Sequence, residues 1–247
     1  MRAMVLAAGL GTRLRPLTDD RPKALVEVNG RTLLEITLRR LSDFGIQDVV
    51  VNVHHFADMV IEFLRRNGNF GMRVEVSREN LLLDTGGGLK KAAWFFLKNS
   101  AEQPFLVHNV DVISTIDFSQ MLQSHKERGA LATLAVKARP SSRYLLFDEK
   151  NQLCGRRAAS TPSDERVRPS RAAHAYAFCG IHMISPRLLP MMAEDGAFSI
   201  ITSYLRLAGQ GHTISAFRAD DYYWRDLGTP ESVKAAAEDM ATHSVSL

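Results

Sequence analysis

Short apolar runs alternate along this chain with stretches whose apolar positions recur about every three or four residues. The first pattern predicts buried strands and the second amphipathic helices. "AMVLAA" predicts an opening strand, and a helix follows over Thr32 to Phe44, where Leu33, Leu34, Ile36, Leu38 and Leu41 share one broad face. The alternation continues through "DVVVNV", a helix over Phe56 to Arg66, "MRVEVS", and a helix following the glycines Gly86 to Gly88. "PFLVHNV", a helix over Phe118 to Arg128 and "ALATLAVK" complete it. Strands apolar throughout are buried on both faces, so the pattern predicts an α/β fold with a doubly wound, mostly parallel, Rossmann-like sheet. Right-handed crossovers are expected.

After Lys137 the texture changes. "RYLLFDEK" and "NQLCGRR" predict two short strands joined by a turn around Lys150 and Asn151, and the polar "STPSDERVRPSR" predicts a mobile loop. "AHAYAFCGIHMI" predicts a long strand in which Gly180 marks a bulge or a close approach to the backbone. Helices over Pro186 to Met192 and Phe198 to Ala208, a strand over His212 to Phe217 and a closing helix from Pro230 are expected.

Composition narrows the class. At 247 residues and 45% hydrophobic content the chain can bury a full core, as a single domain over 1–247 with a small lobe inside it. No run nears the roughly 18 apolar residues of a membrane span, and "MRAMVLAAG" has no basic leader or small-residue cleavage site. A cytoplasmic protein without a membrane partner is expected. Cys154 and Cys179 lack a CxxC spacing, so no disulfide framework or zinc knuckle is expected. The net charge of +4 is concentrated in the opening loop and between Lys137 and Arg171, without interleaved aromatics or a helix-turn-helix pattern, which argues against nucleic acid as a partner. His54, His55, His108, His174 and His182 lack a two-histidine metal spacing and read as core or surface residues. Trp94, Phe95 and Phe96 read as one helix's packing face.

The chemistry concentrates after the first strand, in "MVLAAGLGTRLRPLTDDRPKAL". Gly9 and Gly11 let backbone N–H groups approach a phosphate, Thr12 follows them, and Arg13 and Lys23 add positive charge, which together make an anion cradle. A dinucleotide fingerprint needs a third glycine where Leu14 stands, and a Walker A loop needs Lys and Ser/Thr where Thr12 and Arg13 stand. Asp111 follows an apolar strand at the end where open parallel sheets place their ligands.

The stretch "LAAGLGTRLRPLTDDRPKALVEV" resembles the signature of the sugar-1-phosphate nucleotidylyltransferases, and "DTGGGL", "NVD", "FCGIHMI" and "WRDLGTPE" resemble further blocks of that family in order. The resemblance implies the nucleotide-diphospho-sugar transferase type of fold, with a small sugar-binding β lobe within about 137–230. It implies nucleotidyl transfer from a nucleoside triphosphate to a sugar 1-phosphate with release of pyrophosphate. The backbone of Ala8, Gly9 and Gly11, with Thr12, would receive the nucleotide, Arg13 the departing phosphates, and Lys23 the α-phosphate. Asp111 and Asp226 would bind Mg²⁺, whose preference for hard oxygen ligands suits them. Val110 stands where the family commonly has glycine, which raises the question of a positive φ that valine resists.

Specificity is read from "DTGGGL", which resembles the N-acetylmuramate 1-phosphate uridylyltransferases more than the thymidylyltransferases, with the mannose- and heptose-1-phosphate guanylyltransferases as the alternative. Three glycines before a helix, Gly86 and Gly87 among them as candidates for the nucleotide, let a base or sugar press against the backbone. By the same resemblance Asp84, Asn109 and Gly180 would border the sugar. Arg139 or Arg143 is a candidate for a lactyl carboxylate, since a guanidinium suits it bidentately. A non-catalytic nucleotide-sugar sensor or regulatory subunit on the same fold is the rival class. No hexapeptide repeat is present, so no C-terminal β-helix domain is expected, and the state is expected to be monomer or homodimer.

Overall fold

The computed structural model describes residues 1–98, 103–160 and 163–242. The first half runs β1 (Arg2–Leu6), β2 (Glu27–Val28), β3 (Arg31–Thr32), α1 (Leu33–Asp43), β4 (Asp48–Val53), α2 (Ala57–Arg66) and β5 (Arg73–Arg78). It continues with α3 (Asp84–Lys91), α4 (Ala93–Leu97), β6 (Phe105–Asn109), β7 (Val112–Ser114), α5 (Phe118–Glu127) and β8 (Ala132–Lys137). The second half holds β9 (Arg143–Phe147), β10 (Leu153–Ala158), β11 (Glu165–Arg166), β12 (His174–Ile184), α6 (Ile200–Gly209), β13 (Ile214–Arg218), β14 (Trp224–Asp226) and α7 (Pro230–Ala241).

Strands β5, β4, β1 and β6 lie side by side and parallel, with Val5 facing both Val51 and His108 in register. β12 pairs antiparallel with β6 on one side and β8 on the other, and β13 returns parallel to β8. The central sheet is therefore mostly parallel, with β12 inserted against its direction. β9, β10 and β11 extend it as an antiparallel ribbon beside the N-terminal part of β12. The segment expected as a mobile loop contributes β11, and its Asp164 pairs with Arg157 and Arg166; residues 161–162 lie outside the described residues.

Alternate residues of the central strands feed two separate cores. Ala3, Val5, Val49, Val51 and Leu106 pack with α1, α2, α5 and α7, whereas Met4, Val50, Phe105 and Val107 pack with α3, α4 and α6. A strand that must be apolar on both faces has no polar alternation, which explains the unbroken runs. Cys154 and Cys179 are buried free thiols, and burial pushes Cys179 up to about 12. No helix among the described residues is long and apolar enough to cross a membrane.

Two local readings change. The glycine run lies inside α3, which starts at Asp84, and does not precede a helix. Of the three aromatics in α4 only Phe96 is fully buried, stacked on Phe105 at 3.7 Å between centroids, while Trp94 is 48% exposed. Three consecutive helical residues are spread over about 200° and cannot share one face.

Three histidines are sealed in the sheet and its flanks. Burial lowers His108 and His125 to about 4 and His182 to about 3. A histidine whose folded pKa is depressed contributes stability above its unfolded pKa of about 6.5 and loses it as pH falls toward the folded value. Between about pH 6.5 and 4, each should subtract about 1.4 kcal/mol of stability per pH unit. Denaturant titrations across that range should give a steep acid limb, and His125→Asn, which can still bond Thr133, should make it shallower by about a third.

Candidate active site

The site forms where β1 and β6 end and the β7–β14 ribbon begins. Val110 carries the chain on from β6 with its N–H on the Leu6 carbonyl (3.1 Å), fully buried and without positive φ, so valine is accommodated at the position where glycine was expected. Asp111 follows at once. Asp226 pairs with Val112 across the ribbon, and the Leu227 N–H donates to the Asp111 carbonyl (2.7 Å). Two carboxylate-bearing segments distant in sequence are thereby held adjacent.

A cation pairs with Asp111. The Lys23 ammonium is ion-paired with Asp111 Oδ2, with the two side chains only 11% and 17% exposed. Arg13 lies over Gly228, where a Cβ would stand 2.7 Å from Arg13 Nη2 and 2.5 Å from Asp226 Oδ1. A side chain at 228 would crowd both the Arg13 guanidinium and the Asp226 carboxylate. Burial, and then the charge of Asp111, raise the Asp226 carboxyl above its ordinary range, while Lys23, the Gly228 N–H and Arg13 pull it down. The turn into α7 uses only Oδ1 of Asp226, which accepts from the Gly228 N–H (2.9 Å). Thr229 then caps α7 reciprocally with Ser232.

The opening loop is anchored on one side and open on the other. Gly11 has a left-handed φ of 67°, its carbonyl accepts from Thr18 Oγ1 (2.8 Å), and a Cβ there would press on Thr18 and Lys23. A Cβ on Gly9 meets nothing within 4 Å. Thr12 and Arg13 form a short turn of helix beyond Gly11, and Ala8 is buried at the loop's root.

The glycines of α3 serve packing. A Cβ on Gly86 would strike the Phe198 ring at 2.3 Å, and one on Gly87 the Gly196 carbonyl at 2.3 Å. The N–H groups of Gly86 and Gly87 both point to the Phe198 carbonyl (2.8 and 3.4 Å), so they are already engaged and make no open phosphate cradle. Asp84, exposed and with φ of 56°, binds the Thr85 N–H at the mouth of the helix. Gly180 bulges β12 with φ of 73°, and the space it leaves belongs to the Asn109 side chain, whose Nδ2 lies 2.8 Å from where a Cβ would stand. The room beside Gly180 is thus filled from within; among the described residues Asn109 Oδ1 is buried without a partner.

Arg139 also departs from expectation. Its guanidinium stacks on Trp224 at 4.1 Å and donates to the Pro140 and Phe178 carbonyls, while its Nε is buried. It is a brace for β12 and β14, its fork already bonded to the protein. Arg143, at the exposed start of β9, is not brought to this stack by any contact among the described residues. The residues sequence reasoning missed are Trp224, two positions from Asp226 on the same face of β14, and the buried pair Asn52 and Glu79 behind the loop. Only the charged Glu79 in an otherwise strand-and-turn context hinted at the latter.

Among the described residues no three His, Cys, Asp or Glu side chains gather as a metal cluster. Asp111 and Asp226 offer hard oxygens to a cation that completes its shell with phosphate and water, which is the habit of magnesium. The crowding that raises Asp226 is relieved by a divalent charge, so the donor set fits that ion.

Comparison with known proteins places this arrangement. The profile of the nucleotidyl transferase family matches residues 2–243. The N-acetylmuramate alpha-1-phosphate uridylyltransferase of Caulobacter vibrioides is 35% identical over 97% of this chain and 96% of its own. The mannose-1-phosphate guanyltransferase of Aspergillus fumigatus is 31% identical over 94% of this chain but 62% of its own, so this chain spans under two thirds of that relative. HddC from Yersinia pseudotuberculosis, solved complexed with GMP-PN, shares the fold with a TM-score of 0.75 at 23% identity, over 97% of this chain and 99% of its own. With its profile matched over nearly the whole length, the chain belongs to the nucleotidyl transferase family.

Proposed function

We propose that this protein joins UTP to N-acetylmuramate 1-phosphate, giving the UDP-sugar and pyrophosphate in a Mg²⁺-dependent reaction. The observation that carries the substrate reading is the 35% identity, over almost the full length of both chains, to a relative named for that activity. The nucleotide lies across residues 8–11 and residues 83–85 at the entry to α3, ahead of the engaged Gly86 and Gly87 N–H groups; this assigns Asp84 to the nucleotide and not to the sugar that the resemblance implied. The open face at Gly9 and the exposed Asp84 support that placement.

The sugar phosphate oxygen attacks the α-phosphorus in line; the new P–O bond forms as the α–β bridging P–O bond breaks, and its electron pair leaves with pyrophosphate. Catalysis is chiefly electrostatic positioning. Arg13 meets the departing phosphates from its seat over Gly228, and Lys23 neutralises charge at the α-phosphate. Asp111 and Asp226 would hold Mg²⁺, which supplies charge neutralisation on the phosphates when bound. Lys23 is already held against Asp111, and Arg13 stands over Gly228 beside the turn that carries Asp226, so little reorganisation is needed.

Pyrophosphate release, measured with Mg²⁺ for each nucleoside triphosphate against N-acetylmuramate, N-acetylglucosamine, mannose and heptose 1-phosphates, should be fastest with UTP and N-acetylmuramate 1-phosphate. An optimum with GTP and a mannose- or heptose-type phosphate would replace the substrate reading and leave the reaction class intact. Arg13→Ala should lower kcat/KM by about 100-fold or more.

Asp226→Asn should separate stability from function. A carboxyl whose folded pKa is raised contributes most below the ordinary carboxylate range and loses that contribution as pH rises through the raised value. At neutral pH the charged group is therefore a burden, and its removal should raise the Tm of the ligand-free protein while activity collapses. The gain should shrink at pH 4.5. An unchanged or lower Tm at pH 7.5 would show that the carboxylate is balanced without a ligand.

A further inference from the structure

Behind the opening loop lies a buried acid that the chemistry above does not use. Glu79 is 3% exposed, and among the described residues no lysine or arginine pairs with it. Its Oε1 accepts from Asn52 Nδ2 (2.6 Å) and its Oε2 from the Leu83 N–H (3.0 Å). Asn52, 2% exposed, accepts in turn from the Ala7 N–H through Oδ1 (2.8 Å). A continuous chain of three hydrogen bonds thus runs from the last residue before Ala8 to the last residue before α3. Gly88 makes room for it, since a Cβ there would lie 2.7 Å from Glu79 Oε1 and 2.8 Å from Asn52 Nδ2.

We propose that Asn52 and Glu79 are a positioning pair that fixes the separation between the two nucleotide-facing loops, residues 8–11 and 83–85, and thereby sets affinity for the nucleotide and not for the sugar phosphate. The inference rests on the reading that these loops receive the nucleotide. One end of the chain is the backbone N–H just before residues 8–11 and the other is the first N–H of residues 83–85, so a shift in either side chain moves both loops together. Desolvating a carboxylate against neutral donors alone is costly, and packing requires only an apolar side chain here. What the carboxylate adds is two acceptors at fixed positions facing two donors.

The donor pattern allows a swap. In Glu79→Gln one donor faces the Asn52 amide or the Leu83 N–H, and in Asn52→Asp two acceptors face one another. In the double variant the carboxylate now at position 52 accepts from the Ala7 N–H and from the amide now at position 79, whose carbonyl accepts from the Leu83 N–H. All three bonds return with the polarity of the middle one reversed.

The test measures kcat and KM for UTP and for the sugar phosphate, with Tm, in wild type, both single variants and the double. The singles should raise KM for UTP about tenfold or more while KM for the sugar phosphate stays within about twofold, and the double should return KM for UTP to within about threefold of wild type. A double no better than the worse single, or singles that shift both KM values alike, would overturn the proposal. Should a single variant not fold, the double decides alone: a wild-type Tm with KM for UTP still raised about tenfold refutes the pairing. Gly9→Val tests the underlying reading separately, because its Cβ meets no protein atom within 4 Å; unchanged KM for UTP there would remove the nucleotide from this loop whatever the swap shows.

Discussion

Two carboxylates held side by side at the edge of a core repel each other, and this structure keeps them together by building the surrounding chain around that repulsion. The β7–β14 ribbon and the bond from Leu227 to the Asp111 carbonyl fix Asp111 beside Asp226 by backbone alone. Lys23 and Arg13, both from the opening loop, supply the compensating charge. The loop, the strand end and the final turn therefore cannot be placed independently. Gly228 is part of the same constraint, because it admits the guanidinium.

The glycines of α3 obey a different logic. A helix interior disfavours glycine by about 1 kcal/mol against alanine, yet three stand in succession and each is buried. One faces the Phe198 ring, one the Gly196 carbonyl and one the Asn52–Glu79 pair. The helix is drawn against three neighbours at once, which no side chain would permit. The same physical freedom that suggests a ligand cradle in sequence is spent here on the protein itself.

What could be read in the sequence follows from range. The parallel half was legible because β1, β4 and β6, buried on both faces, leave unbroken apolar runs, and α1 and α2 were legible through their apolar stripes. The direction of β12 was not, since an apolar run carries no sign of its polarity relative to its neighbours. Arg13, Lys23, Asp111 and Asp226 each stood out within their own motifs, and the fold brings them into one cluster. The ion pairing of Lys23 with Asp111 across 88 residues of chain was invisible. The partners of Arg139 were invisible because a sequence shows a guanidinium without its surroundings, whereas the folded chain engages it with two carbonyls and an indole. Asn52 and Glu79 escaped notice because neither belongs to a motif and their connection joins the ends of two strands, β4 and β5, that the sequence separates by a helix.

Trp224 is clasped on one face by Arg139, and its indole N–H is fixed to the Cys179 carbonyl (2.8 Å), two residues before Asp226 on the same strand face. The chain has two tryptophans, and the other, Trp94, lies on α4 and is largely open to solvent. A soluble quencher that extinguishes the exposed indole leaves emission dominated by the one beside the carboxylates. The fold thus sets one clasped indole on the strand that carries Asp226, apart from the exposed one on α4, so that a soluble quencher tells the two apart.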